Sequence, residues 1–85
     1  MFYVYLLKSA LTGTKYIGCT SDLKNRLNEH NSGKNNSTKN KIPWKLVYYE
    51  AFMDKYDAFN REKELKNDYT KKRHLLNRLK NSLQE

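Results

Sequence analysis

The sequence predicts an α+β domain, a three-stranded antiparallel sheet flanked by helices in the order β-β-α-β-α-α. Two runs rich in aromatic and branched residues, Phe2 to Lys8 and Lys15 to Thr20, lie close together in the chain. A third run of the same kind, Trp44 to Phe52, follows Pro43. Between and after these runs, apolar residues recur at the spacing of a helical face.

The first two runs form a hairpin, because Ala10-Leu11-Thr12-Gly13-Thr14 supplies a glycine and small polar residues for the turn. Leu23, Arg26, Leu27 and His30 then fall at i, i+3, i+4 and i+7. Ser21 or Asp22 caps that helix, and Asn31-Ser32-Gly33 ends it. Asn31 to Lys41 (NSGKNNSTKNK) is polar, basic and rich in Asn, and reads as a mobile loop. Asp54, with Asp57 three residues on, begins a second helix whose face carries Tyr56, Ala58, Phe59, Glu62 and Leu65. Thr70 starts a basic last helix, expected over 70–84, with Leu75, Leu76, Leu79 and Leu83 on its apolar side.

Eighty-five residues give room for one core, so 1–85 is read as one domain with its motifs between 2 and 67. Seventeen Lys and Arg against nine Asp and Glu leave a net charge of +8. So large an excess on so short a chain favours a polyanionic partner: DNA, RNA or an anionic membrane surface. Only 38% of residues are hydrophobic, but seven Tyr, three Phe and one Trp supply enough buriable ring area for a modest core. The longest apolar stretch, around Val4-Tyr5-Leu6-Leu7, is far short of the roughly 20 residues of a membrane span. It also lacks the flanks of a signal peptide. A single cysteine, Cys19, excludes an internal disulfide, and it is too far from the two histidines for a zinc site. A reduced, cytoplasmic protein is expected.

Three residues violate the binary pattern. Arg26 and His30 stand beside Leu23 and Leu27 on the first helix, and Glu62 lies within the apolar stripe of the second. A carboxylate facing the interior costs several kcal/mol unless it is paired or holds a cation. Singly, each has an ordinary reading: Arg26 snorkelling at the stripe's edge, His30 a satisfied semi-buried histidine, Glu62 in an ion pair. Together they are an acid, a base and a cation against one sheet, and such inconsistencies collect at functional sites. In a hairpin with a two- or four-residue loop, opposed residues have an odd sum. Tyr5 and Tyr16 therefore share a face of the sheet. Tyr48, Tyr49, Tyr56 and Tyr69 are read only as core rings, Trp44 as a core anchor and Cys19 as a small core residue.

These residues resemble the GIY-YIG nuclease family. Tyr3-Val4-Tyr5 stands where the GIY element belongs, and Tyr16-Ile17-Gly18 is the YIG element verbatim. Arg26 and His30 match the family's R-x-x-x-H pair, and Ala58, Glu62 and Lys66 match A-x-x-x-E-x-x-x-K. The resemblance covers residues 2 to 67 and is closest to the small standalone bacterial YhbQ-like group. Tyr3 replaces the glycine of GIY and spares the tyrosine.

The resemblance implies metal-assisted hydrolysis of DNA phosphodiester bonds, on branched or structured DNA of the kind met in repair or recombination. Glu62 would hold one divalent cation, Mg²⁺ or Mn²⁺, since one carboxylate plus waters and phosphate is how Mg²⁺ is usually kept. Arg26 would stabilise the charge of the phosphorane-like transition state. Tyr5 or Tyr16 would be the general base, and the sequence does not choose between them. A free phenol, with a pKa of about 10, needs nearby cations to serve. His30 would accept a proton from the tyrosine or orient it. Gly18 would let the hairpin approach the DNA backbone, although tight packing explains it equally well. Phosphates would be tracked by Lys8, by Lys34, Lys39 and Lys41 on the Asn-rich loop, by Lys66, and by Lys71, Lys72 and Arg73 on the last helix. With no DNA-binding domain expected beside it, specificity would come from DNA shape or from a protein partner. The competing reading is a nucleic-acid-binding accessory module with little cleavage of its own, and RNA remains open as the nucleic acid.

Overall fold

The computed structural model describes residues 1–84. The elements are β1 (Phe2–Ser9), β2 (Lys15–Thr20), α1 (Leu23–Asn31), β3 (Trp44–Phe52), α2 (Lys55–Asn67) and α3 (Tyr69–Arg78). Short 3₁₀ turns occupy Lys39–Lys41 and Ser82–Gln84. The three strands form one antiparallel sheet in the order β2-β1-β3. β1 takes the centre because it carries the run Val4 to Leu7, buried on both faces.

The hairpin register pairs Tyr5 with Gly18 and Leu7 with Tyr16, so Tyr5 and Tyr16 do project from one face. The Ser9 amide donates to Thr14 O at 2.8 Å, leaving a four-residue loop that Gly13 closes at φ +76°. Ser9 Oγ accepts from the amides of Leu11 and Thr12, which locks the turn from inside.

Each face of the sheet carries its own helical layer. Val4, Leu6 and Ile17 pack on Ala58 and Leu65 of α2 and on Leu75 of α3. Tyr5, Leu7, Tyr16, Trp44 and Leu46 pack on Leu23 and Leu27 of α1 and on Ile42. The register between β1 and β3 shifts at Leu6/Leu7, and the extra residue lets the consecutive Val47 and Tyr48 both face the α2 layer while Leu46 faces α1. Asp22 caps α1, Asp54 caps α2 and Asp68 caps α3, each accepting from first-turn amides.

Three expectations need correction. Tyr49, Tyr56 and Tyr69 are not core rings: they are 51%, 69% and 77% exposed. The core takes Tyr5 and Trp44 beside its aliphatic residues, while the hydroxyl of the other tyrosines tolerates the surface. Among these rings only Tyr48 is partly buried, with its hydroxyl donating to Glu50 Oε2 at 2.7 Å. The last helix ends at Arg78, and Leu83 reaches the core from the 3₁₀ turn beyond it. The Asn-rich segment is anchored as well. Thr38 is fully buried, Trp44 Nε1 donates to Thr38 O at 2.9 Å, and the Asn31 amide brackets the Trp44 backbone at 2.6 and 2.9 Å.

Candidate active site

The sheet and α1 bring Tyr5, Tyr16 and His30 into one aromatic cluster. Tyr5 Oη lies 2.9 Å from His30 Nε2, and the Tyr16 ring centroid is 5.1 Å from the His30 ring. The Tyr5 ring lies over Gly18, where an added Cβ would fall 2.2 Å from Tyr5 Oη. The glycine is thus required by the ring, which accounts for its position through packing.

His30 comes from the last turn of α1 and is fully buried. Its Nδ1 lies 2.8 Å from Thr38 Oγ1, whose own hydroxyl faces the Asn35 carbonyl at 3.5 Å. If Thr38 donates to that carbonyl, it accepts from Nδ1–H and leaves Nε2 as the acceptor for the Tyr5 phenol. Burial, reinforced by the Arg26 guanidinium, holds the imidazole below its ordinary pKa and favours the neutral ring. Burial and the neighbouring Tyr16 push the Tyr5 phenol well up, while Arg26 pulls it back in part. At neutral pH the pair therefore rests as phenol and neutral imidazole. Thr38 carried no sequence signal: nothing in a run such as NSTKNK distinguishes one buried hydroxyl from its exposed neighbours.

Arg26 lies on α1 beside Tyr5, and its Nε is 3.1 Å from Glu29 Oε1 in an exposed pair. Glu62 belongs to α2, which covers the opposite face. β2 is an edge strand, so side chains of α2 can pass around it. Lys66 Nζ stands 5.7 Å from the Tyr16 ring centroid and 3.1 Å from Glu62 Oε2. The charge of Glu62 is felt both by Cys19 on the α2 face and by Tyr5 on the α1 face. Burial, with Glu62 adding to it, pushes the Cys19 thiol up.

Among the described residues no group of three or more His, Cys, Asp or Glu is placed to hold a metal ion. Glu62 therefore offers a single, partly exposed carboxylate. That donor set fits Mg²⁺, which keeps several of its waters and takes one or two carboxylates plus substrate phosphate.

The remaining basic residues are dispersed. Lys34 lines a groove with Arg26, Glu29 and Asn35 directly beside the cluster. Lys39 and Lys41 lie on the 3₁₀ turn that follows buried Thr38. Lys8 donates to the Leu83 carbonyl and ties the hairpin to the C-terminal turn. Lys71 lines a separate groove with Tyr48, Arg61, His74 and Arg78 and lies 3.7 Å from Glu64. Lys72 is half-buried, and Arg73 stands over the Tyr69 ring. Among the described residues no helix is long and apolar enough to cross a membrane.

Comparison with known proteins bears on the family and the fold. The GIY-YIG catalytic domain model matches residues 1–77. A UPF0213 protein of Streptococcus agalactiae is 46% identical over 61 residues, 71% of this chain and 68% of the relative. A UPF0213 protein of Bacillus pumilus is 42% identical over 74 residues, 86% of this chain and 74% of the relative. The solution NMR structure of a UPF0213 protein from Bacillus halodurans superposes with a TM-score of 0.56 at 36% identity, covering 91% of this chain and 84% of the other. By sequence and by fold, this chain belongs to the GIY-YIG family.

Proposed function

We infer that the chain is a divalent-metal-dependent endonuclease that hydrolyses phosphodiester bonds in DNA. The observation that carries the reading is the line Tyr5–His30–Thr38, with spacings of 2.9 and 2.8 Å, set beside Arg26 and Glu62. A buried phenol is too weak an acid to rest as phenolate, and a relay removes that difficulty. Tyr5 accepts the proton of an attacking water while passing its own to neutral His30 Nε2, and Thr38 holds Nδ1–H in place. Arg26 lies where the planar guanidinium meets the charge growing on the scissile phosphate. Glu62 would hold Mg²⁺ or Mn²⁺, whose charge would offset that on the phosphate and the leaving oxygen. Lys66 orients the Glu62 carboxylate through the ion pair and presents a positive edge toward Tyr16.

Lys34 adjoins the cluster and tracks phosphate next to the cut. The more distant Lys39, Lys41, Lys71, Lys72 and Arg73 contribute general attraction for a polyanion. The domain comprises residues 1–85, with chemistry confined to the span from Tyr5 to Lys66.

The test uses end-labelled linear, flap, Y-shaped and four-way DNA with Mg²⁺, Mn²⁺ or EDTA. Wild type is compared with folded Glu62→Ala and Tyr5→Phe variants. Metal-dependent cutting that disappears in Glu62→Ala supports the endonuclease. Binding without cutting under every condition replaces it with an accessory module that needs a protein partner.

A further inference from the structure

A second groove leaves the catalytic cluster on the α2 side. Arg26 lines it with Phe2, Cys19, Thr20, Lys55 and Phe59, around a volume of about 300 Å³. Phe59 stands three residues before Glu62 on α2, so both belong to adjacent positions of one helix surface. Its ring is 40% exposed, and Tyr56 beside it is 69% exposed. The two rings meet edge to face, with centroids 6.3 Å apart and planes at 86°. Lys55 Nζ sits 5.5 Å from the Phe59 centroid. In a chain this poor in apolar residues, two adjoining rings left in water forgo burial that the core would use.

The chemistry matches one kind of occupant. Exposed aromatic rings stack nucleobases of any identity, and the flanking cations suit the phosphates on either side. Inside a duplex the base faces are stacked on one another and closed to Phe59, whereas an unpaired nucleotide presents its face. We propose that Phe59, supported by Tyr56 and Lys55, is a stacking ledge for an unpaired nucleotide flanking the scissile phosphate. The substrate class is then DNA with a single-stranded segment at the cut, such as a flap or a fork. The placement relative to the cut rests on the nuclease reading through Arg26, and binding at the ledge does not.

The test is binding in EDTA, where nothing is cut. A short DNA strand carrying one 2-aminopurine is presented alone, as a flap, and fully paired. Wild type should bind the strand and the flap more tightly than the duplex and quench the 2-aminopurine fluorescence. Phe59→Ala should weaken single-strand and flap binding roughly 5- to 100-fold, with duplex binding unchanged. Phe59→Leu, which keeps bulk without a π face, should lose the quenching, and Phe59→Trp should retain it. Unchanged single-strand affinity and quenching in Phe59→Ala and Phe59→Leu overturn the ledge, as does equal loss for duplex and single strand. Quenching that depends on Phe59 in a protein that cuts no DNA shape supports the ledge and removes the endonuclease reading instead.

Discussion

The ring of Tyr5 occupies the space that a side chain at Gly18 would need. The two residues are directly paired across β1 and β2, and a Cβ on Gly18 would lie 2.2 Å from Oη and 2.3 Å from Cζ of Tyr5. Gly18→Ala should therefore destabilise the fold by about 1–3 kcal/mol and displace the phenol from His30. Because Cζ is as close as the hydroxyl, Tyr5→Phe should not relieve the clash, whereas Tyr5→Val should. Urea unfolding of the single and double variants gives this coupling directly.

The lowered pKa of His30 fixes the sign of a pH effect. The unfolded chain takes up a proton at the ordinary histidine value and the folded chain resists it. Stability should then fall as pH drops below about 6.5 toward the folded value, and be complete above it. His30→Gln should flatten that slope in urea unfolding. In the same range the wild-type cleavage rate should decline, because a protonated Nε2 cannot receive the Tyr5 proton.

Thr38→Val removes the partner of His30 Nδ1 while keeping the buried volume. The orphaned imidazole donor should cost about 1–3 kcal/mol in stability. Turnover should fall more than DNA affinity, since the change acts on proton transfer. Equal losses in kcat and in DNA affinity would instead mark a general collapse of the segment.

A control lies in the ion-pair network on the opposite layer. Arg61 donates three hydrogen bonds to Glu50 and one to Glu64. Burial alone would raise the Glu50 pKa, but hydrogen bonds from Arg61 and Tyr48 hold it below its ordinary value. Arg61→Leu leaves that carboxylate half-buried without its cation and should cost about 2 kcal/mol. The stabilisation from Glu50 is present above its unfolded pKa and is lost as pH falls through the lower folded one. DNA cleavage by the folded variant should be unchanged.

Local rules made most elements legible. Aromatic and branched runs over Phe2 to Lys8 and Lys15 to Thr20 mark the first two strands to within one residue, Asp54 marks the start of α2, and of the two caps open for α1, Ser21 and Asp22, it is Asp22 that serves. The tyrosines were harder to place. Seven similar residues carry no label for depth, so the sequence does not separate Tyr49, Tyr56 and Tyr69 from core rings, whereas their helix and strand positions turn them to the surface. The loop from Asn31 to Lys41 looked mobile because its composition is polar, yet one threonine and the following tryptophan hold it inside.

Three features are readable from the chain alone: the hairpin parity that puts Tyr5 and Tyr16 on one face, the helical spacing that aligns Arg26 with His30, and the presence of Glu62 in an apolar stripe. These are properties of short segments, set by periods of two and 3.6 residues. The edge position of β2, with α1 and α2 on opposite faces, emerges only when the layers pack. That placement lets Lys66 of α2 reach the Tyr16 ring and lets the charge of Glu62 act on both layers. It also buried Thr38 against His30. Such relationships depend on which layers pack together, and no local period in the chain encodes that choice.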